Sequence, residues 1–227
     1  MSDYVDPPAE VLVLAIHGSP GDPRRARREF AFLGLIGRPV EVLILSGDEP
    51  VAEQLQHIAV KFPRSDLVIA PLLLAAGFHL QHDLLPAVPF LREQGRNVRL
   101  LPLWGRSEHL TYALQSALRA NFGPGKRVPA AGVLWLVPGG SAALANLRRQ
   151  VDESRILADS VPQHWATQIS DDLPQDALPI IAVLREGRLS KTLRKAWAGS
   201  RRPRLLFGEE LLQRALLRWT EPSIVSA

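Results

Sequence analysis

The chain has 227 residues, a formal net charge of +4 and no cysteine. This length predicts one domain or two small ones, and 46% hydrophobic residues are enough for a packed core. The lack of cysteine excludes disulfide scaffolds, zinc ribbons, thiolate nucleophiles and cysteine-ligated clusters, so a metal site must use histidine or carboxylate ligands. The apolar runs are too short to cross a membrane and residues 1–10 lack the pattern of a secretory signal, which predicts a cytoplasmic protein without membrane contact.

In the first half of the chain, short apolar runs alternate with helical patterns. The predicted order is strand 11–16, helix 22–35, strand 40–45, helix 50–62, strand 67–74, helix 78–93, strand 98–103 and helix 107–120. Within 78–93 we expect a loop and then a helix that Pro86 and Pro89 interrupt. Strands that alternate with helices in this way predict a parallel sheet with helices on both sides.

The second half repeats the pattern after a break at residues 123–126, whose sequence GPGK is typical of a linker. Its predicted order is strand 132–137, helix 142–153, strands 165–169 and 180–184, helix 189–197, strand 204–207 and helix 209–219. We therefore expect an α/β protein with two tandem domains, 9–124 and 129–227. The second domain is predicted to be a shortened, degenerate copy of the first.

Two alignments support this diverged internal repeat. The segment VLVLAIHGS aligns with GVLWLVPGGS and places Ser19 opposite Ser141. The segment VIAPLLLAAGFHL aligns with PIIAVLREGRL and places Gly77 opposite Gly187. The second copy keeps the strand pattern but lacks the histidines of the first.

Two histidines follow predicted strands of the first half. His17 comes directly after the first strand, and His79 lies five residues beyond the third. Because open parallel sheets bind ligands at the carboxyl ends of their strands, we expect both side chains in one cleft. Neutral imidazole binds Co²⁺, Fe²⁺, Ni²⁺ and Zn²⁺, and two protein ligands leave coordination positions open for a metal in transit. The alternative is that each histidine only caps a strand end through a backbone hydrogen bond.

The segment HLQHD at 79–83 adds His82 and Asp83 to this region. Histidines three residues apart share a helix face, and Asp83 can orient an imidazole as an outer-shell acceptor. The alternative for His82 is an exposed residue near a helix start. His57 and His109 are expected on helix surfaces, and His164 has no evident partner.

A hydrolase is the remote alternative. The segment HGSPG at 17–21 matches the oxyanion loop of α/β-hydrolases, but the nearest candidate for the nucleophile, Ser141 in GGSAA, lacks the final glycine of the usual elbow. His164 is the only histidine after Ser141. No phosphate loop, dinucleotide fingerprint or basic–aromatic pattern is present, so we expect no nucleic-acid partner.

These segments together resemble a known family. LVLAIHGSPGDPRRARREF, GDEPVAEQL and VIAPLLLAAGFHLQHDLLPAV resemble the signatures of the sirohydrochlorin chelatases, the class II chelatases of siroheme and cobalamin synthesis. The resemblance covers residues 10 to 120, and the second half resembles the degenerate C-terminal copy of the long members.

The resemblance implies a lyase that inserts Co²⁺ or Fe²⁺ into sirohydrochlorin, with the metal as substrate and no prosthetic group. His17 and His79 match the metal-binding, catalytic histidines of the family. Some members add a glutamate after the second strand, where this chain has Ser46, with Asp48 and Glu49 just beyond. This departure favours a second hypothesis, a relative that binds metal or tetrapyrrole without turnover.

Sirohydrochlorin carries eight carboxylates, and arginine side chains suit such a ligand. The candidate substrate-binding residues are Ser19, Arg24, Arg28 and Arg188. Trp104 and Phe78 could stack on the macrocycle, although the core is the more common place for each of them. We expect a monomer or a homodimer. A monomer would be self-sufficient, because the chain already contains two fused halves.

Overall fold

The computed structural model describes residues 9–17, 28, 30–137, 140–157, 161–182, 188–207 and 209–221. The chain divides into two compact units, Met1–Arg106 with Leu216–Ala227, and Ser107–Ala215. The domain boundaries proposed from the sequence, 9–124 and 129–227, stay predictions. No helix in the described part of the chain is both long enough and apolar enough to span a membrane.

The first unit contains a parallel four-stranded sheet in the order β2-β1-β3-β4. Its strands are β1 (Glu10–Ile16), β2 (Val40–Ile44), β3 (Asp66–Leu72) and β4 (Val98–Leu100). Residues 11–16 of β1 are buried without alternation, as expected for a central strand that is covered on both faces. The strand predicted at 98–103 ends at Leu100, although the amide of Leu101 still donates to the carbonyl of Ile69 in β3 at 2.8 Å.

Two helices of the first unit pack on this sheet. They are α1 (Val51–Lys61) and α2 (Leu85–Glu93), and Leu55 and Leu91 from them join Val13 and Ile69 in one buried cluster. The predicted helix 22–35 is different. Residues 22–27 and 29 lie outside the described residues, and a 3₁₀ helix occupies Ala31–Ile36 until Gly37 ends it at φ 76°.

The prediction that prolines interrupt the helix at 78–93 was wrong. Phe78 and His79 are already helical, a π turn occupies Leu80–Leu84, and α2 follows without a break. Pro86 lies two residues after the π turn, so its missing amide falls where the hydrogen-bond pattern changes from π to α. Pro89 removes one hydrogen bond inside α2, and the burial of the helix's inner face compensates for that loss.

The second unit contains a parallel sheet in the order β6-β5-β7-β8. The strands are β5 (Val133–Leu136), β6 (Gln163–Ala166), β7 (Leu178–Ile181) and β8 (Arg204–Leu205). The helices are α3 (Glu108–Phe122), α4 (Gly140–Ser154), α5 (Arg188–Ala196) and α6 (Glu209–Thr220), the last of which crosses into the first unit.

Two strands of this sheet begin two residues earlier than predicted. The predicted strand 165–169 is observed at Gln163–Ala166, and the predicted strand 180–184 at Leu178–Ile181, with 183–184 outside the described residues. Strand β6 is only half-buried along its length. It begins with the polar residues Gln163 and His164, so an apolar pattern does not mark its start.

The two sheets are built on the same plan. In each, the second strand lies at one edge, the first strand is next, and the third and fourth follow. The amide of Leu12 donates to the carbonyl of Pro39 at 2.9 Å, and the amide of Val133 donates to that of Pro162 at 2.9 Å. By the sequence offset between these bonds, His17 aligns with Pro138, which lies outside the described residues. The predicted fold class, two tandem α/β sheets related as a repeat, is confirmed.

A buried arginine fastens the amino end of the first sheet. Arg38 donates to Glu10 at 2.6 Å and to the carbonyl oxygen of Thr220, while Arg99 donates to Glu10 at 3.1 Å. Burial lowers the pKa of the Arg38 guanidinium, and the attraction of Glu10 opposes that shift. The network ties β1 to the segment after the 3₁₀ helix and to the end of α6.

Near the opposite end of the sheet, Gly105 permits a close backbone contact. Its amide donates to the carbonyl of Leu73 at 2.8 Å, and a Cβ at this position would overlap the backbone of Leu74. The contact fixes the path of the chain between β3 and the helical segment that begins at Phe78.

Candidate metal centre

The structure brings His17 and His79 together. Ile16 at the end of β1 is paired with Leu72 at the end of β3, so the segments that follow both strands start from the same edge of the sheet. The two imidazole rings lie with their centroids 5.4 Å apart and their planes at 76°. His17 is exposed, and the His79 side chain is 35% exposed. Both rings are therefore accessible to an ion from solvent.

This separation is compatible with one ion shared by both rings. With a metal–nitrogen bond of about 2.1 Å, a bound ion would lie about 3.2 Å from each ring centroid. Two such rings at a roughly tetrahedral angle would have centroids about 5 Å apart. Among the described residues, no three histidine, aspartate or glutamate side chains form a metal-binding group. The pair can thus supply two ligands and leave the remaining positions to water or substrate.

Hydrogen bonds orient the two imidazoles. Nδ1 of His79 lies 2.7 Å from Oδ2 of Asp83, one helical turn further along the chain. Because an ionised carboxylate only accepts hydrogen bonds, the proton belongs on Nδ1 of His79, and Nε2 keeps its lone pair for a cation. Nδ1 of His17 lies 3.4 Å from Oγ of Ser46, which follows β2.

The position expected for a third acidic ligand holds Ser46 beside His17. The carboxylates just beyond it do not supply a substitute, since Glu49 pairs with Nδ1 of His57 at 2.8 Å and no described aspartate or glutamate forms a group of three with the two histidines. A hydroxyl is a weaker ligand than a carboxylate for a divalent cation. The site therefore has a hydrogen-bonding group where an acid would add charge.

An aromatic pair borders the histidines, and its arrangement was not foreseen from the sequence. The ring of Phe78 stacks on His82 with centroids 4.4 Å apart and planes at 27°, and it meets His79 edge-on at 5.7 Å. Phe78 is 66% exposed, whereas Trp104 is fully buried and packs against Trp219 at 5.1 Å. Trp104 is thus a core residue, and stacking of a ligand on it is ruled out.

The candidate substrate-binding residues are only partly described. Ser19 and Arg24 lie outside the described residues, and so does the side chain of Arg188, which begins α5. Arg28 is exposed. Their roles stay predictions.

The arrangement of the second unit does not support the hydrolase alternative. Ser141 lies in the first turn of α4, beyond the carboxyl end of β5. Nε2 of His164 is 3.2 Å from the carbonyl oxygen of Ala131, which precedes the amino end of β5. The two residues therefore lie towards opposite ends of one strand, and His164 is not placed to activate the serine.

Comparison with known proteins shows similarity at the level of fold. No protein-family model and no curated protein sequence matches the chain. The structure of SirB from Bacillus subtilis with Fe³⁺ covers 92% of this chain and 93% of its own, at 17% identity and a TM-score of 0.58.

Two further solved structures share the architecture. The sirohydrochlorin chelatase SirB of Bacillus subtilis subspecies spizizenii, in complex with cobalt, is 17% identical, with 92% of both chains covered and a TM-score of 0.57. CbiX, described as the terminal enzyme of siroheme biosynthesis in denitrifying bacteria, is 18% identical and covers 91% of this chain and 97% of its own, with a TM-score of 0.58. The chain therefore has the fold of the sirohydrochlorin chelatases.

Proposed function

We propose that the protein is a chelatase that inserts Co²⁺ or Fe²⁺ into sirohydrochlorin. The observation that carries the proposal is the pair of imidazoles, His17 and His79, 5.4 Å apart at the carboxyl edge of the first sheet. Further support comes from solved structures of the same fold. One SirB structure holds Fe³⁺, another is a sirohydrochlorin chelatase in complex with cobalt, and CbiX is described as the terminal enzyme of siroheme biosynthesis.

The chemistry of insertion matches what two imidazoles can do. The incoming divalent ion replaces two pyrrole N–H protons, so each turnover releases two protons. A histidine pair can hold the ion until the macrocycle nitrogens take it over, and an imidazole freed in that exchange can accept a proton near neutral pH. The bond to Asp83 keeps Nε2 of His79 as the nitrogen available for both tasks.

Recognition of the substrate needs positive charge. We assign that role to Arg24, Arg28 and Arg188, with Ser19 as a further polar contact. Guanidinium groups bind carboxylates through paired, charge-assisted hydrogen bonds, and sirohydrochlorin offers eight carboxylates.

Anaerobic absorbance spectroscopy tests the proposal. Sirohydrochlorin and Co²⁺ or Fe²⁺ are mixed with the wild-type protein, with His17→Ala or with His79→Ala. We expect metal-dependent conversion above the uncatalysed rate, lost in both variants. His57→Ala is the matched control, because this exposed histidine also pairs with a carboxylate but belongs to α1. Wild-type protein that fails to accelerate conversion with either metal contradicts the proposal.

The second candidate function is a binder that carries metal or tetrapyrrole without turnover. Ser46 in place of an acidic ligand favours it, because a site without that carboxylate has one base fewer to accept the protons that insertion releases. A spectral shift of sirohydrochlorin on binding, without conversion in the presence of metal, would establish this function instead. Ser46→Glu is then expected to restore or raise the rate of insertion.

A further inference from the structure

We infer that Phe78 and His82 form a stacking platform that binds the conjugated face of the tetrapyrrole beside the metal-binding histidines. This inference rests on the proposed function, because it names the residues that contact the macrocycle in that reaction. It assigns a direct role in binding to Phe78, an aromatic side chain that ordinary packing would place in the core.

The first observation is the exposure of Phe78. It is 66% exposed, although it borders a helix whose neighbouring residues Leu80 and Leu84 are buried. Exposed apolar surface is unfavourable in water, and stacking on a flat apolar ligand removes that cost. The exposure also leaves much of the Phe78 side chain open to a ligand.

The second observation is the position of Phe78 relative to the metal site. Its ring lies 5.7 Å from the ring of His79, which in turn lies 5.4 Å from His17. A macrocycle whose central nitrogens approach an ion held by the two histidines must extend over the groups that surround them. Phe78 is the described aromatic side chain in contact with His79, so it meets the edge of such a ligand.

The third observation is that the platform is already assembled. His82 lies one turn after Phe78 on the same helix, and the two rings stack at 4.4 Å and 27°. This contact restricts the rotamers of the exposed phenyl ring, which lowers the entropy lost when a ligand immobilises it. Aromatic pairs in offset stacks add to the attraction expected from buried area alone.

Titration of sirohydrochlorin by absorbance, without metal, tests the platform separately from turnover. We expect Phe78→Ala to raise the Kd about tenfold, which corresponds to about 1.4 kcal/mol. Phe78→Tyr keeps a stacking ring and should bind within about twofold of wild type. Phe78→Leu keeps apolar volume but no π face, and its Kd should fall between those of the other two.

Phe90→Ala is the matched control. Phe90 is 45% exposed on the same helical segment, twelve residues or about 18 Å along the axis from Phe78, and its removal should leave the Kd unchanged. The Kd for Co²⁺ alone should also be unchanged in Phe78→Ala, since the phenyl ring is not a ligand. Because Phe78 is exposed, the melting temperature of Phe78→Ala should match that of wild type.

The outcomes separate this inference from the proposed function. An unchanged Kd for sirohydrochlorin in Phe78→Ala overturns the platform. The proposed chelatase function is unaffected by that result if the protein still converts its substrate. If wild-type protein binds sirohydrochlorin but does not convert it in the presence of metal, the chelatase function is refuted. The Kd of Phe78→Ala for sirohydrochlorin then still tests the platform. Wild-type protein that binds no sirohydrochlorin overturns both.

Discussion

Removal of the Asp83 carboxylate should weaken metal binding through its effect on His79. The carboxylate holds Nδ1 of His79 at 2.7 Å and so fixes both the tautomer and the direction of Nε2. Without it, the ring rotates and exchanges tautomers, and only part of the population presents a lone pair to the ion. Loss of an outer-shell partner of this kind costs about 10- to 100-fold in metal affinity.

The structure sets the magnitude at the lower end of that range. The two side chains are 35% and 33% exposed, so water replaces part of the lost hydrogen bond. We therefore expect Asp83→Ala to raise the Kd for Co²⁺ about tenfold, or about 1.4 kcal/mol. Asp83→Asn keeps a carbonyl acceptor without the charge, and its Kd should rise only about threefold.

Isothermal titration calorimetry with Co²⁺ under anaerobic conditions measures these constants. Glu49→Gln is the matched control, because Glu49 contacts His57 in a similar carboxylate–imidazole pair at 2.8 Å. A double-mutant cycle completes the test. If Asp83 acts through His79, Asp83→Ala should have almost no further effect in a His79→Ala background. Additive losses in the cycle, or an equal loss in Glu49→Gln, would refute this explanation.

Three other changes probe the fold and the substrate contacts. Arg38→Met should lower the free energy of unfolding by about 2 kcal/mol in urea titrations, less than for a fully buried pair because Glu10 is one-third exposed. Gly105→Ala should cost about 3 kcal/mol and weaken Co²⁺ binding, because the new Cβ displaces the backbone at Leu74; calorimetry showing a wild-type Kd would contradict this. Arg188→Glu should weaken sirohydrochlorin binding with an unchanged circular dichroism spectrum, and an unchanged Kd would exclude this residue from the site.

Much of the scaffold followed from hydrophobic patterning. Continuous apolar runs identified β1 and β3 as buried parallel strands, and parallel neighbours necessarily end at one edge of a sheet. Because both histidines follow such strands, the sequence predicted them at one site although more than sixty residues separate them. The 5.4 Å between their ring centroids is compatible with one ion bound by both imidazoles.

Other features depend on packing that a local pattern does not contain. The prolines of α2 were expected to interrupt the helix, yet Pro86 falls where the π turn passes into α2 and the segment stays helical. Trp104 and Phe78 were equivalent as aromatic residues near the site, and only the folded structure shows that one is buried and the other exposed. The contact between Ser46 and His17 likewise depends on the register of β1 with β2.

The prolines that follow the π turn have a consequence for how the site meets its metal. Pro86 and Pro89 fix two φ angles in the helix that carries His79, which reduces the conformational entropy of this segment in the unfolded chain. The helix that carries the imidazole and its carboxylate partner is thus favoured by the chain itself, and it does not depend on the ion to form. Such a site is preorganised: metal capture involves little refolding, and release to a competing chelator leaves the helix in place to receive the next ion.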